Sequence, residues 1–104
     1  MEIFFIQYEV VPLEKNSEYE TTGGAVVNCW IKASSLNEAD KIAAKVIEAD
    51  HWKIINTEES FSVNESFYED DEDGAEYYRQ AMVDGECYVY YSWPNEAQEE
   101  DFIH

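Results

Sequence analysis

Three runs of this chain alternate in side-chain character with a period of two, which commits them to strands and the fold to a sheet. In residues 3 to 11, Phe4, Ile6, Tyr8 and Val10 make one alternate set, and Ile3, Phe5, Gln7, Glu9 and Val11 the other. The first set is wholly apolar or aromatic and is expected to face the core. Pro12 ends the run, because proline lacks the ladder donor. Gly23-Gly24 opens a second run that reaches Ala33. Ala25, Val27, Cys29, Ile31 and Ala33 are expected to face the core, with Val26, Asn28, Trp30 and Lys32 opposite. The polar residues 13 to 22 between the runs read as the long loop of an antiparallel pair. The third run, residues 86 to 93, points Cys87, Val89, Tyr91 and Trp93 one way and Tyr88, Tyr90 and Ser92 the other, before Pro94. Residues 52 to 57 and 60 to 64 also read as strand, either one bulged strand or two strands joined by a turn at 58 to 60.

Two segments switch to helical spacing. From Leu36 to Asp50, the residues Ala39, Ile42, Ala43, Val46 and Ile47 fall on one stripe. Ser35 followed by Glu38 matches the Ser-x-x-Glu capping box, in which two side chains satisfy orphan amides reciprocally. The second helix is expected from Asp73 to Asp84. Acids crowd its positive end, Ala75, Tyr78, Ala81 and Met82 make its apolar side, and Gly85 stops it.

This order predicts an α/β (α+β) fold, a two-layer sandwich. Its sheet is mostly antiparallel, with four or five strands and two helices on one face. If the chain turns at 58 to 60, residues 25 to 93 spell βαββαβ, a ferredoxin-like order with an extra N-terminal strand. A chain of 104 residues suits one domain. Residues 1 to 94 are assigned to it, and 95 to 104 to an acidic C-terminal tail.

With both helices on one face, the opposite face would expose Ile3, Val26 and four aromatics, Phe5, Trp30, Tyr88 and Tyr90. That is too much apolar area to stay bare. A second copy in a homodimer, a partner protein, or the ends of the chain would cover it. Those four aromatics are the candidate interface on the sheet.

Charge decides the class of partner. There are 24 Asp and Glu against 6 Lys and Arg, a net charge of −18. Residues 53 to 104 carry −13 of it. Such a surface repels phosphate backbones and anionic membranes and attracts basic proteins. Glu65, Glu69, Asp70, Asp71, Glu72, Asp73 and Glu76 form the candidate partner-binding patch.

Catalytic and metal signatures are weak. Read as a calcium loop from Glu69, the acidic run offers Asp71, Asp73 and Gly74 at suitable positions, but Gln80 stands where a bidentate Glu is needed. No metal ligand, cofactor or catalytic residue is assigned. His51, at the end of the first helix, is expected to serve the helix terminus rather than catalysis. Cys29 and Cys87 alternate with core residues and are expected to be buried and inert. The N-terminal residues lack a signal-peptide pattern, and no apolar run approaches the ~18 residues that span a membrane. A cytoplasmic protein with reduced thiols is expected.

Small size, acidity and the lack of catalytic residues give the profile of immunity proteins and phage anti-defence proteins. The expected function is therefore non-enzymatic. The chain would be an inhibitor or adaptor whose carboxylates imitate nucleic acid and dock on a basic, nucleic-acid-binding protein surface. The alternative is a small-ligand or metal-sensing domain that uses the open aromatic sheet face.

Overall fold

The computed structural model describes residues 1 to 95, so all but the first residue of the tail assigned to 95 to 104 lies outside the described residues. The fold is α+β, with a four-stranded antiparallel sheet and two helices. Strands β1 (Glu2–Pro12) and β2 (Thr22–Ala33) form the central pair. Strand β3 (Trp52–Val63) adds to β1, and β4 (Glu86–Pro94) adds to β2, giving the order β3-β1-β2-β4. Helix α1 (Leu36–Ala49) joins β2 to β3. A 3-10 turn at Glu65–Tyr68 and helix α2 (Glu72–Asp84) join β3 to β4.

The segment with the break at 58 to 60 is one strand. Its register against β1 shifts twice, between Gln7 and Tyr8 and between Glu9 and Val10, which leaves Glu58 and Ile55 as the extra residues. Bulges absorb the polar interruption without a turn. The βαββαβ order therefore does not arise.

The largest departure from expectation is the placement of the helices. The first connection passes over β1 and the second over both central strands, and the two run on opposite faces. Helix α1 packs Ala39, Ala43 and Ile47 onto Phe4, Ile6, Tyr8, Val10, Val27 and Ile31. Helix α2 and the 3-10 turn bring Ala81 and Tyr68 onto Ile3, Phe5, Trp30 and Val63. The result is three layers rather than two. The reason is visible in β1, where Ile3 to Ile6 are all buried. A strand apolar on both sides needs cover on both sides.

The helix ends follow their signals closely. Ser35 Oγ accepts from Glu38 N at 3.1 Å, the expected cap. The reciprocal arm lands one residue early, since the Glu38 carboxylate accepts from Ser34 N and Ser34 Oγ, both at 3.0 Å. Those bonds hold its carboxyl below the usual carboxylate range. Gly85 ends α2 in the left-handed region at φ 90, and its N–H bonds Ala81 O at 2.8 Å. His51 also has a positive φ of 66, just past the end of α1. It takes the position where a helix commonly ends on glycine, and its carbonyl accepts from Leu13 N at 2.9 Å. His51 thus serves the helix terminus through its backbone conformation.

Candidate functional site

The anionic patch is built from one local stretch of chain. Asn64 caps the 3-10 turn by accepting from Phe67 N, and Asp71 caps α2 by accepting from Gly74 N at 3.1 Å. Between these caps the chain reverses, so the turn and the first half of α2 lie side by side. Gly74 makes this approach possible. A Cβ there would lie 2.8 Å from Tyr68 Cε1.

The reversal opens a groove of about 850 Å³. Glu65, Glu69, Glu72, Asp73 and Glu76 line it, together with Tyr68. Five of the seven predicted patch residues therefore come together. Asp70 is exposed and does not line the groove, and Asp71 is drawn to the cap and to a neighbouring cavity. Arg79 is the one positive side chain lining the groove. Its guanidinium meets Glu76 at 3.6 Å, with both side chains largely exposed, so the pair neutralises little. Glu72 and Asp73 gain from the positive helix end, but Glu72 and Glu76 are like charges one turn apart. The groove is thus a concentrated anionic surface that the fold itself does not relieve.

The predicted sheet-face interface does not exist as one surface. Phe5 (8 % exposed) and Trp30 (3 % exposed) lie beneath α2 and the 3-10 turn. The Trp30 indole N–H donates to the Tyr68 hydroxyl at 2.7 Å. Tyr88 and Tyr90 sit on the other face, packed against the α1 core, because β4 pairs Tyr88 with Cys29 and Tyr90 with Val27. Burial raises both hydroxyls well above the ordinary tyrosine range. Helix α2 and the 3-10 turn therefore cover most of the face expected to be open, leaving one cavity beside them. The reason is that the second crossover runs over that face.

The remaining chemistry is sparse. Both cysteines are free. Cys29 is fully buried beside α1, and burial pushes its thiol up, as it does that of half-buried Cys87. Neither is a thiolate at neutral pH. Among the described residues, no group of three or more His, Cys, Asp or Glu side chains is placed to hold a metal ion. Among them, too, no helix is long and apolar enough to cross a membrane.

Sequence reasoning missed a second cavity next to the groove, of about 430 Å³, where the turn and α2 overhang the sheet. Its floor is Phe5 and Trp30, and its sides carry Phe61, Phe67, Tyr77 and Tyr91. No family model, curated protein or solved structure matches this chain.

Proposed function

We propose that the protein is a non-enzymatic inhibitor or adaptor that docks, in the cytoplasm, on a basic, nucleic-acid-binding protein surface. Immunity proteins and phage anti-defence proteins act in this general way. The observation that carries the proposal is the groove between the 3-10 turn and α2, which five acidic residues line and where Arg79 is the one cation in the lining. Five acidic residues gathered on two capped segments can stand in for a run of phosphates. Pre-ordering matters, because a rigid anionic surface steers a cationic partner and fixes register without further ordering cost. The net charge of −18 disfavours nucleic acid and anionic membrane as partners.

The test uses the full chain as bait at low salt in an extract of its native host, with partners identified by mass spectrometry. The affinity of the captured protein is then measured across salt. It should weaken at least tenfold between about 50 and about 500 mM salt, as screening of a charge-driven interface requires. A partner bound equally well at both ends of that range counts against the proposal.

A further inference from the structure

The aromatic cavity beside the groove is a different kind of site from the groove itself. Six separate elements supply its rings. Phe5 and Trp30 come from the central strands, Phe61 from β3 and Tyr91 from β4. Phe67 and Tyr77 reach it from the turn and α2. The rings pack on one another. Trp30 meets Tyr77 at 5.0 Å, Phe5 meets Phe61 at 5.3 Å, and Phe61 meets Phe67 at 5.6 Å between centroids. Phe67 (60 % exposed) and Tyr91 (53 % exposed) stand open at its mouth. Three carboxylates share the lining, Glu59 from β3 and Asp71 and Asp73 from the start of α2. Asp73 also lines the anionic groove, so the two sites adjoin.

Aromatic faces carry negative electrostatic potential, and a cation held against them is attracted most when a carboxylate completes its pairing. An apolar occupant would strip water from Glu59, Asp71 and Asp73 without replacing their hydrogen bonds. An anion would be repelled. A flat, weakly hydrated guanidinium satisfies both halves of the lining: it stacks on the rings while its fork of donors meets the carboxylates. An ammonium is a strongly hydrated point charge and fits less well.

We propose that this cavity is an arginine-binding pocket, which receives one arginine side chain of the protein partner while the adjoining groove holds its wider basic surface. The inference rests on the docking function proposed above and names the contact that gives it specificity.

The full chain, isotope-labelled, is titrated at about 50 mM salt with hexaarginine, hexalysine and hexacitrulline peptides, following affinity and the Trp30 indole resonance. Hexaarginine should bind about three- to tenfold more tightly than hexalysine and shift the Trp30 indole, the range that a ring–guanidinium contact supplies. Hexacitrulline, the uncharged isostere, should not bind. Phe67→Ala and Tyr91→Ala remove exposed rings, and circular dichroism confirms that they fold. Each should weaken hexaarginine by about threefold or more and leave hexalysine unchanged. Equal affinity for the two cationic peptides, with no effect of either ring, overturns the arginine pocket but leaves the acidic docking surface standing. Binding of hexacitrulline as tightly as hexaarginine overturns recognition of the cation. Failure of both cationic peptides to bind removes the pocket and the docking function together.

Discussion

Substituting Tyr68→Phe deletes one oxygen atom and tests how tightly the turn and α2 close over the sheet. The Tyr68 hydroxyl is the acceptor for the Trp30 indole N–H at 2.7 Å, and both residues are buried. The variant keeps the ring, its packing on Phe67 and Tyr78, and the volume it fills. What changes is that a buried donor loses its partner. That costs about 1–3 kcal/mol, more than the net worth of one hydrogen bond, because the indole N–H stays desolvated. For a domain of this size, each kcal/mol moves Tm by roughly 4–8 °C, so a fall of about 4–24 °C is expected. Urea unfolding should show a lower midpoint with an unchanged slope, since the surface exposed on unfolding is the same. Trp30→Phe provides the control. In that background the donor is already gone, and Tyr68→Phe should cost little, leaving a coupling of about 1 kcal/mol or more. A change under about 0.3 kcal/mol in the wild-type background would mean that water reaches the indole, and that the cover over this face is loose.

Other consequences follow from the same structure. Gly74→Ala forces a methyl group against the Tyr68 ring, and should cost about 1–3 kcal/mol in urea unfolding while widening the groove; full wild-type stability would contradict the close approach. At His51, with φ 66, His51→Gly should be neutral or slightly stabilising and His51→Val should cost about 1–2 kcal/mol, because a β-branched side chain is strained there; equal stability of the two variants would remove the helix-end role. Burial raises the hydroxyls of Tyr8, Tyr88 and Tyr90 and the thiol of Cys29, with Asp40 adding to the effect on Tyr8. The folded chain keeps these protons where the unfolded chain releases them. Stability should therefore fall as pH rises past the ordinary Cys and Tyr values, about 8.5 and about 10, and a Tm that stays flat to about pH 11 would contradict it.

The sequence made the local features legible and left the long-range ones undecided. Periodicity and caps located β1, β2, α1, α2 and β4 to within a few residues, because each signal lies inside its own element. The anionic groove was legible for the same reason: residues 65 to 76 are contiguous and fold back on themselves. The face taken by α2 was not. Helix α1 connects parallel strands, where crossover handedness constrains the path. Helix α2 joins two antiparallel edge strands, where that rule does not apply. The buried run Ile3 to Ile6 carried the missing signal, since a strand apolar on both faces implies two covers. The facing of Tyr88 and Tyr90 depended on pairing with Cys29 and Val27, and a shift of one residue would reverse it. The aromatic cavity needs rings from β1, β2, β3, β4, the turn and α2, so nothing short of the tertiary structure reveals it. The 3-10 turn was signalled only by Asn64 as a cap, a weak cue beside the strand pattern preceding it.

The most direct test compares two sets of five substitutions in binding to the captured partner. One converts Glu65, Glu69, Glu72, Asp73 and Glu76 to their amides; the other does the same to Glu2, Glu14, Glu18, Glu48 and Asp50, which are exposed away from the groove. Both remove the same charge. If the groove is the docking surface, the first set should weaken binding about 100-fold or more, and the second by no more than about threefold. Equal losses from the two sets would mean that net charge, rather than this groove, holds the partner.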